Sequence, residues 1–492
     1  MNYVHDPMHK LPPEIVSRVF TFCMLATWEN RRPHDPLFNP VPRATIPPLL
    51  FGAVCQRWRE IAWSTPQLWT KLNIYLDPSI CGWQTKVAQE WLARSGSLHL
   101  SIHLRPRHQL DLSYHTNLFA PLMRLLSEHS PRWKHLDVDL PHSFMAHLRG
   151  DLHGIPVLHT MFIDDRYGSR LGGRGGGSLH FGQEASSLVS VKIYSYHFRS
   201  IGIGWQHVTT VHLSDLSIGE CLELFQVASS LRECDISLAT QAGGTELSTP
   251  HHIISYGLEK LAIDFMNTAD GSALMNNITL PCLQSLSYSD SAVDPLPSFL
   301  SRSSSKLTHL HLSDSGASEV MLIQLLNSTP FLQSLDLYHS DLENRLLDHL
   351  VSTVLSTIDH EGNKHGFLPH LAELCLGSGN YSLDTFPMIF APGQPLPNQG
   401  TRPWKKMEIS FLVDPEEEYL GQDLLNKLLE IVDRGIELLL FNTETDNDLI
   451  KVSQRYYESL DNEDGEEDDD DGSNVEDKNT SEEEYPEGEE DQ

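Results

Sequence analysis

Leu307-Thr308-His309-Leu310-His311-Leu312 and, one unit later, Leu332-Gln333-Ser334-Leu335-Asp336-Leu337 share the pattern Φ-x-x-Φ-x-Φ, where Φ is apolar. The Φ-x-Φ half alternates with a period of two, which predicts a short strand with one buried face. A third clear copy is Leu371-x-x-Leu374-x-Leu376, and weaker ones begin at Trp133, Leu158, Leu188, Val208, Leu231, Leu258, Leu283 and Trp404. Most starts lie 20 to 30 residues apart, room for a strand and a returning segment. Several returns read as helices: 318–326, closed by Pro330; 342–358, apolar at 346, 347, 350, 351, 354 and 355; and 218–228. Strand, helix and parallel strand in succession is the unit of a curved array. Outward from these units, 71–76 and 98–104 read as strands around an amphipathic helix at 85–93. At the far end 423–432 reads as a last helix and 436–441 as a last strand, while 168–177 and 387–403 read as loops.

The first 69 residues follow another pattern. Pro12 and Pro13 suit a first helical turn, where a missing N–H costs nothing. Ile15, Val16, Val19, Phe20 and Cys23 then fall on one face at helical spacing. A second helix through Leu50, Val54, Trp58 and Ile61 or Ala62 is stopped by Ser64-Thr65-Pro66. Two short helices this apolar cannot bury both faces against each other alone. Part of that surface meets the rest of the chain or another protein.

Leu11-Pro12-Pro13-Glu14 and Val54-Cys55-Gln56-Arg57-Trp58-Arg59 resemble the F-box, in the F-box-like version common in fungal proteins. There Ser-Thr-Pro-x-Leu-Trp follows the domain, as it does here at 64–69. The long middle, with five prolines between Pro33 and Pro47, departs from a compact F-box. The later units resemble the leucine-rich repeat, whose period is about 20 to 29 residues, although the Asn expected after each Φ-x-Φ is mostly missing. The two resemblances imply an α/β chain in three parts. A helical F-box-like domain over 8–70, with a Pro-rich insertion at about 28–47, precedes a curved leucine-rich-repeat-like solenoid over 71–445. A disordered acidic tail then runs over 446–492.

The resemblance further implies a substrate-receptor subunit of an SCF-type cullin-RING ubiquitin ligase, not itself an enzyme. It docks on a Skp-type adaptor, and through it on cullin and RING subunits, while the solenoid holds a protein substrate. Leu11, Pro12, Ile15, Val19, Leu50, Val54, Cys55 and Trp58 are the adaptor-facing or domain-core residues; sequence alone leaves both roles open. Residues alternating with Φ point away from the core, so Ser285, Ser287, His309, His311, Asp336 and Tyr338 form the candidate substrate surface on three units. Tyr338 attracts interest because Tyr is enriched among interface anchors. A rival reading is a leucine-rich-repeat scaffold with an acidic tail, engaging a basic or GTPase partner without ligase function.

Composition narrows the rest. Of the net charge of −32, residues 461–492 contribute −17, from 18 Asp and Glu against one Lys. Nothing here neutralises phosphates in bulk, so no nucleic-acid partner is expected. Seven scattered cysteines within apolar patterns read as reduced core thiols of an intracellular protein, in cytoplasm, nucleus or both. No apolar run reaches the length of a membrane span. The Gly-rich 168–177 lacks a phosphate-loop ending, and no Cys or His pair has zinc-site spacing. Asp137 and Asp139 lack a partner base or nucleophile. No cofactor, metal or catalytic residue is expected, and the tail is too poor in apolar residues to fold.

Overall fold

A computed structural model describes residues 10–29, 47–107, 112–150, 157–165, 179–182, 187–196, 198–239, 252–266, 271–290, 293–313, 318–338, 344–353, 355–358, 364–379, 381, 383–390, 399–411, 419–442 and 447–463. Its main feature is a mixed α/β architecture organised on one large sheet of 15 strands. The first six are β1 (Lys71–Leu76), β2 (Leu100–Pro106), β3 (Trp133–Asp139), β4 (Thr160–Asp164), β5 (Ser190–Ile193) and β6 (Thr210–Leu216). Then come β7 (Glu233–Ala239), β8 (Lys260–Met266), β9 (Ser285–Ser289), β10 (His309–Ser313) and β11 (Ser334–Tyr338). The last are β12 (Glu373–Gly379), β13 (Lys406–Phe411), β14 (Glu437–Asn442) and β15 (Asn447–Asp448). Their order in the sheet is their order in the chain. The pairings from β1 through β14 are parallel; β15 alone runs antiparallel.

Register explains the sequence pattern. Ten of the eleven expected starts lie two residues before a sheet strand, and Trp133 opens its strand directly. The position between start and strand extends the ladder. The amides of Glu259, Gln284, Thr308, Gln333, Ala372 and Lys405 each donate to a carbonyl one unit back at 2.8 Å, as does that of Glu437, which opens β14. The Φ positions of successive strands stack in rows, as in Leu286, Leu310, Leu335 and Leu374, all buried. Parallel strands need crossovers, and helices supply many of them. These are α4 (Cys81–Arg94), α5 (Thr116–Glu128), α6 (Ile218–Val227), α7 (Gly271–Asn277), α8 (Pro295–Ser303), α9 (Glu319–Asn327), α10 (Arg345–Ser352), α11 (Phe386–Phe390) and α12 (Gln422–Asp433). Local signals start them: Ser217 and Glu220 close a capping box on α6, and Ser318 caps α9.

The N-terminal module holds α1 (Pro13–Glu29), α2 (Pro47–Val54) and α3 (Gln56–Trp63). Expectation and structure part here. No single helix carries Leu50 through Ala62, because Cys55 is extended (φ −159°, ψ 170°) and its Sγ accepts from the Trp58 amide at 3.4 Å. The break lets α3 turn Ile61 and Ala62 inward while α2 keeps Leu50 and Val54 exposed. On α1 the buried line is Val16, Phe20 and Met24, and Cys23 is exposed rather than sharing it. Phe20 stacks on Phe51 (centroids 4.3 Å) and meets Trp58 at 5.0 Å. Arg57 reaches back to the Leu11 carbonyl at 2.8 Å. The module joins the sheet through the 3-10 turn Pro66–Trp69, whose Trp69 is fully buried against Trp91 of α4.

Three further expectations are corrected. The helix read over 342–358 is α10 alone, followed by a strand at Leu355–Ile358 that pairs antiparallel with Lys364–His365 and Gln399–Thr401. The loop read over 387–403 contains most of α11 and that third strand. The tail expected from 446 does not begin there, because 447–463 form β15 and α13 (Leu449–Glu463). Leu449, Ile450 and Ser453 are buried, and the Ser453 hydroxyl accepts from the Leu420 amide at 2.8 Å. The antiparallel β15 and α13 thus cover the last parallel strand, whose edge would otherwise offer unpaired backbone groups. Most of the Pro-rich insertion, the Gly-rich run 168–177 and 464–492 lie outside the described residues.

Candidate functional site

Two surfaces carry the residues singled out by the sequence. On the helical module, Ile15, Val19 and Phe22 recur at i, i+4 and i+7 along α1, and Leu49, Leu50 and Val54 share a side of α2. These six apolar side chains are between 38% and 67% exposed. The Phe20–Phe51 stack ties the two helices together beneath them. The eight residues that the sequence groups together differ in exposure. Ile15, Val19, Leu50 and Val54 face solvent, and Pro12 is exposed beside them. Trp58 is half-buried against the module's core, Cys55 caps α3, and Leu11 is tied down by Arg57. Phe22 and Leu49 were missed, although the i+7 spacing from Ile15 pointed to Phe22.

The second surface is the sheet face bearing the residues that alternate with Φ. Ser285 and His309 are register partners, as are Ser287, His311 and Asp336, and Tyr338 pairs with Ser313, so all six expected residues lie on adjacent strands. His311 and Asp336 lie 3.8 Å apart, and the His311 ring meets Tyr338 at 5.4 Å. The Tyr338 hydroxyl reaches Cys375 Sγ on the next strand at 3.5 Å. Burial pushes the Cys375 thiol up to about 11, so it stays protonated and unreactive at neutral pH. Among the described residues no group of three or more His, Cys, Asp or Glu is placed to hold a metal ion.

At the other end of the same face, Asp137 on β3 accepts from His103 at 3.0 Å and from Arg105 at 2.9 Å, both on β2. Burial acts to raise this carboxyl, but the His103 hydrogen bond and the Arg105 charge outweigh it and hold it below the usual value. A depressed carboxylate stabilises the fold above its unfolded pKa, and that contribution disappears as pH falls through the folded one. Asp137→Asn should therefore cost about 1–3 kcal/mol at pH 7 and flatten the fall of melting temperature below about pH 4. A variant whose melting temperature tracks the parent at every pH would contradict this assignment.

Among the described residues no helix is long and apolar enough to cross a membrane. No family model matches the chain, and no curated protein matches it. Among solved structures it is similar, at 10% identity over 77% of each chain, to a Bacteroides fragilis protein whose crystal structure came from the Northeast Structural Genomics Consortium. The TM-score of that comparison is 0.26, too low to carry an argument about fold or function.

Proposed function

We propose that this chain is the substrate-receptor subunit of an SCF-type cullin-RING ubiquitin ligase, acting in cytoplasm, nucleus or both. The observation that carries the proposal is the pair of exposed apolar edges on α1 and α2, on a module whose own core is already filled by Val16, Phe20 and Met24. Apolar residues clustered on the outside of a small helical module mark a docking surface. The F-box-like sequence at 11–14 and 54–59 gives its partner as a Skp-type adaptor. In this reading β1 to β14 and their crossovers form a curved leucine-rich-repeat-like solenoid, with the substrate on the face opposite the Φ rows. The chain does no bond-making chemistry. It raises the effective concentration of a substrate lysine near the charged ubiquitin carrier.

The test is affinity capture of the tagged protein from extract. A stoichiometric Skp-type adaptor and cullin support the reading; a histone or a GTPase in their place refutes it. On the substrate face, Tyr338→Ala combined with His311→Ala should leave adaptor capture intact. It should also lower turnover of the captured substrate by about tenfold or more, the loss expected of an aromatic anchor. Unchanged turnover would place recognition elsewhere on the sheet.

A further inference from the structure

The returns from β11 to β12 and from β12 to β13 meet in a small antiparallel sheet, where Leu355–Ile358 pairs with Lys364–His365 and with Gln399–Thr401. Arg402 follows the last of these strands directly and is only 4% exposed. Its guanidinium donates to the Leu350 carbonyl at 3.0 Å, to the Thr353 hydroxyl at 2.8 Å and to the Phe367 carbonyl at 2.8 Å. Leu350 and Thr353 stand at the C-terminal end of α10, where free carbonyls favour a cation. Yet no carboxylate among the described residues pairs with Arg402, and its buried Nε has no acceptor. Burial pulls its pKa down to about 10.

Two features of this closed arrangement work against it. A buried charge without a counter-ion is held away from its hydration. The turn that Arg402 grips is strained as well, because Leu368, fully buried beside Phe367, sits at φ +47°. Left-handed backbone at a bulky residue persists only where its surroundings enforce it. Opening returns the guanidinium to water and lets Leu368 relax. The closed state therefore stores part of its own release.

We propose that the small antiparallel sheet and the 366–368 turn form a strap that opens as one unit while the large sheet stays intact, with Arg402 as its latch. One guanidinium bonds the segments that must part: the end of α10, the turn, and the strand that precedes Arg402. Its planar fork reaches separate acceptors at once, which a lysine ammonium does not. The large sheet keeps its own bonds beside the strap, since the Ala372 amide donates to Gln333 and the Lys405 amide to Ala372. Opening bares Phe367 and Leu368, both buried in the closed strap. The device stands whether or not the chain is a ligase receptor.

The test is amide hydrogen exchange of the purified full chain, read by mass spectrometry. In the parent, 355–358, 364–368 and 399–402 should exchange together, and about tenfold or more faster than β9 to β12. Arg402→Lys and Arg402→Met should each speed those three segments by a further tenfold or so, while β1 to β9 stay within about twofold of the parent. The proposal falls if the three segments exchange independently in the parent, or if neither variant speeds them. It falls equally if Arg402→Met slows them, because the charge would then oppose closure without latching it. Acceleration spread evenly over the large sheet, or a variant that does not fold, would show that the strap is no separable unit.

Discussion

Replacing Val19 and Val54 by glutamate is expected to abolish capture of a Skp-type adaptor while leaving the protein folded. Both side chains are substantially solvated in the free chain, on helices α1 and α2. Glutamate is at least as good a helix former as valine, so the melting temperature should move by less than about 2 °C. In a complex the same positions become buried, and two carboxylates without partners must then lose their water. Leaving an unpaired charge in an apolar interface costs several kcal/mol. A combined loss of about 4 kcal/mol corresponds to roughly a thousandfold in affinity. Val16→Glu serves as the contrast, because Val16 is buried inside the module and its replacement should unfold it. Isothermal titration with purified adaptor decides the matter. Retained affinity in the double variant would show that α1 and α2 do not form the interface.

Parts of this architecture were legible because backbone and side-chain signals agree. In the units that start at Leu307, Leu332 and Leu371, the leucines that stack in the core also lie in register across the strands, so one pattern reports both. The placement of Ser287, His311 and Asp336 on one row follows from that register without further information. Where a second determinant intervened, periodicity misled. The run 346, 347, 350 and 351 is helical, but it continues into Leu355–Ile358, which includes the β-branched Thr357 and Ile358, and there strand pairing wins. Cysteine is an unusual helix cap, so nothing announced the turn at Cys55 that divides α2 from α3. The onset of the acidic tail was read too early because charge density masked Leu449, Ile450, Ser453 and Tyr457. Those residues sit at helical spacing and dock α13, with the Tyr457 hydroxyl bonding the Leu420 carbonyl at 3.1 Å.

Trp69→Ala should be the most damaging single substitution at the join between helical module and sheet. The ring is fully buried and touches both sides. Its Nε1–H donates to the Ala62 carbonyl in α3 at 2.8 Å, and its edge meets Trp91 of α4 with centroids 4.8 Å apart. The Arg94 guanidinium lies 4.9 Å from its centroid and 5.4 Å from that of Trp63. Removing the ring therefore opens a cavity, takes the shortest donor from the Ala62 carbonyl and frees the arginine that bridges two elements. Truncating a buried tryptophan costs about 3–5 kcal/mol, which lowers the melting temperature of a chain this size by roughly 3–5 °C. Because β9 to β12 lie many strands away, their amides should keep their protection while those of α1 to α3 exchange faster. Adaptor capture should fall with them, since α2 packs on α1 and α3 and α1 in turn packs on this turn. Trp83, which is 60% exposed on the same helix as Trp91, is the control, and its replacement by alanine should be nearly neutral. A melting temperature within about 2 °C of the parent for Trp69→Ala would mean the module is anchored by something other than this ring.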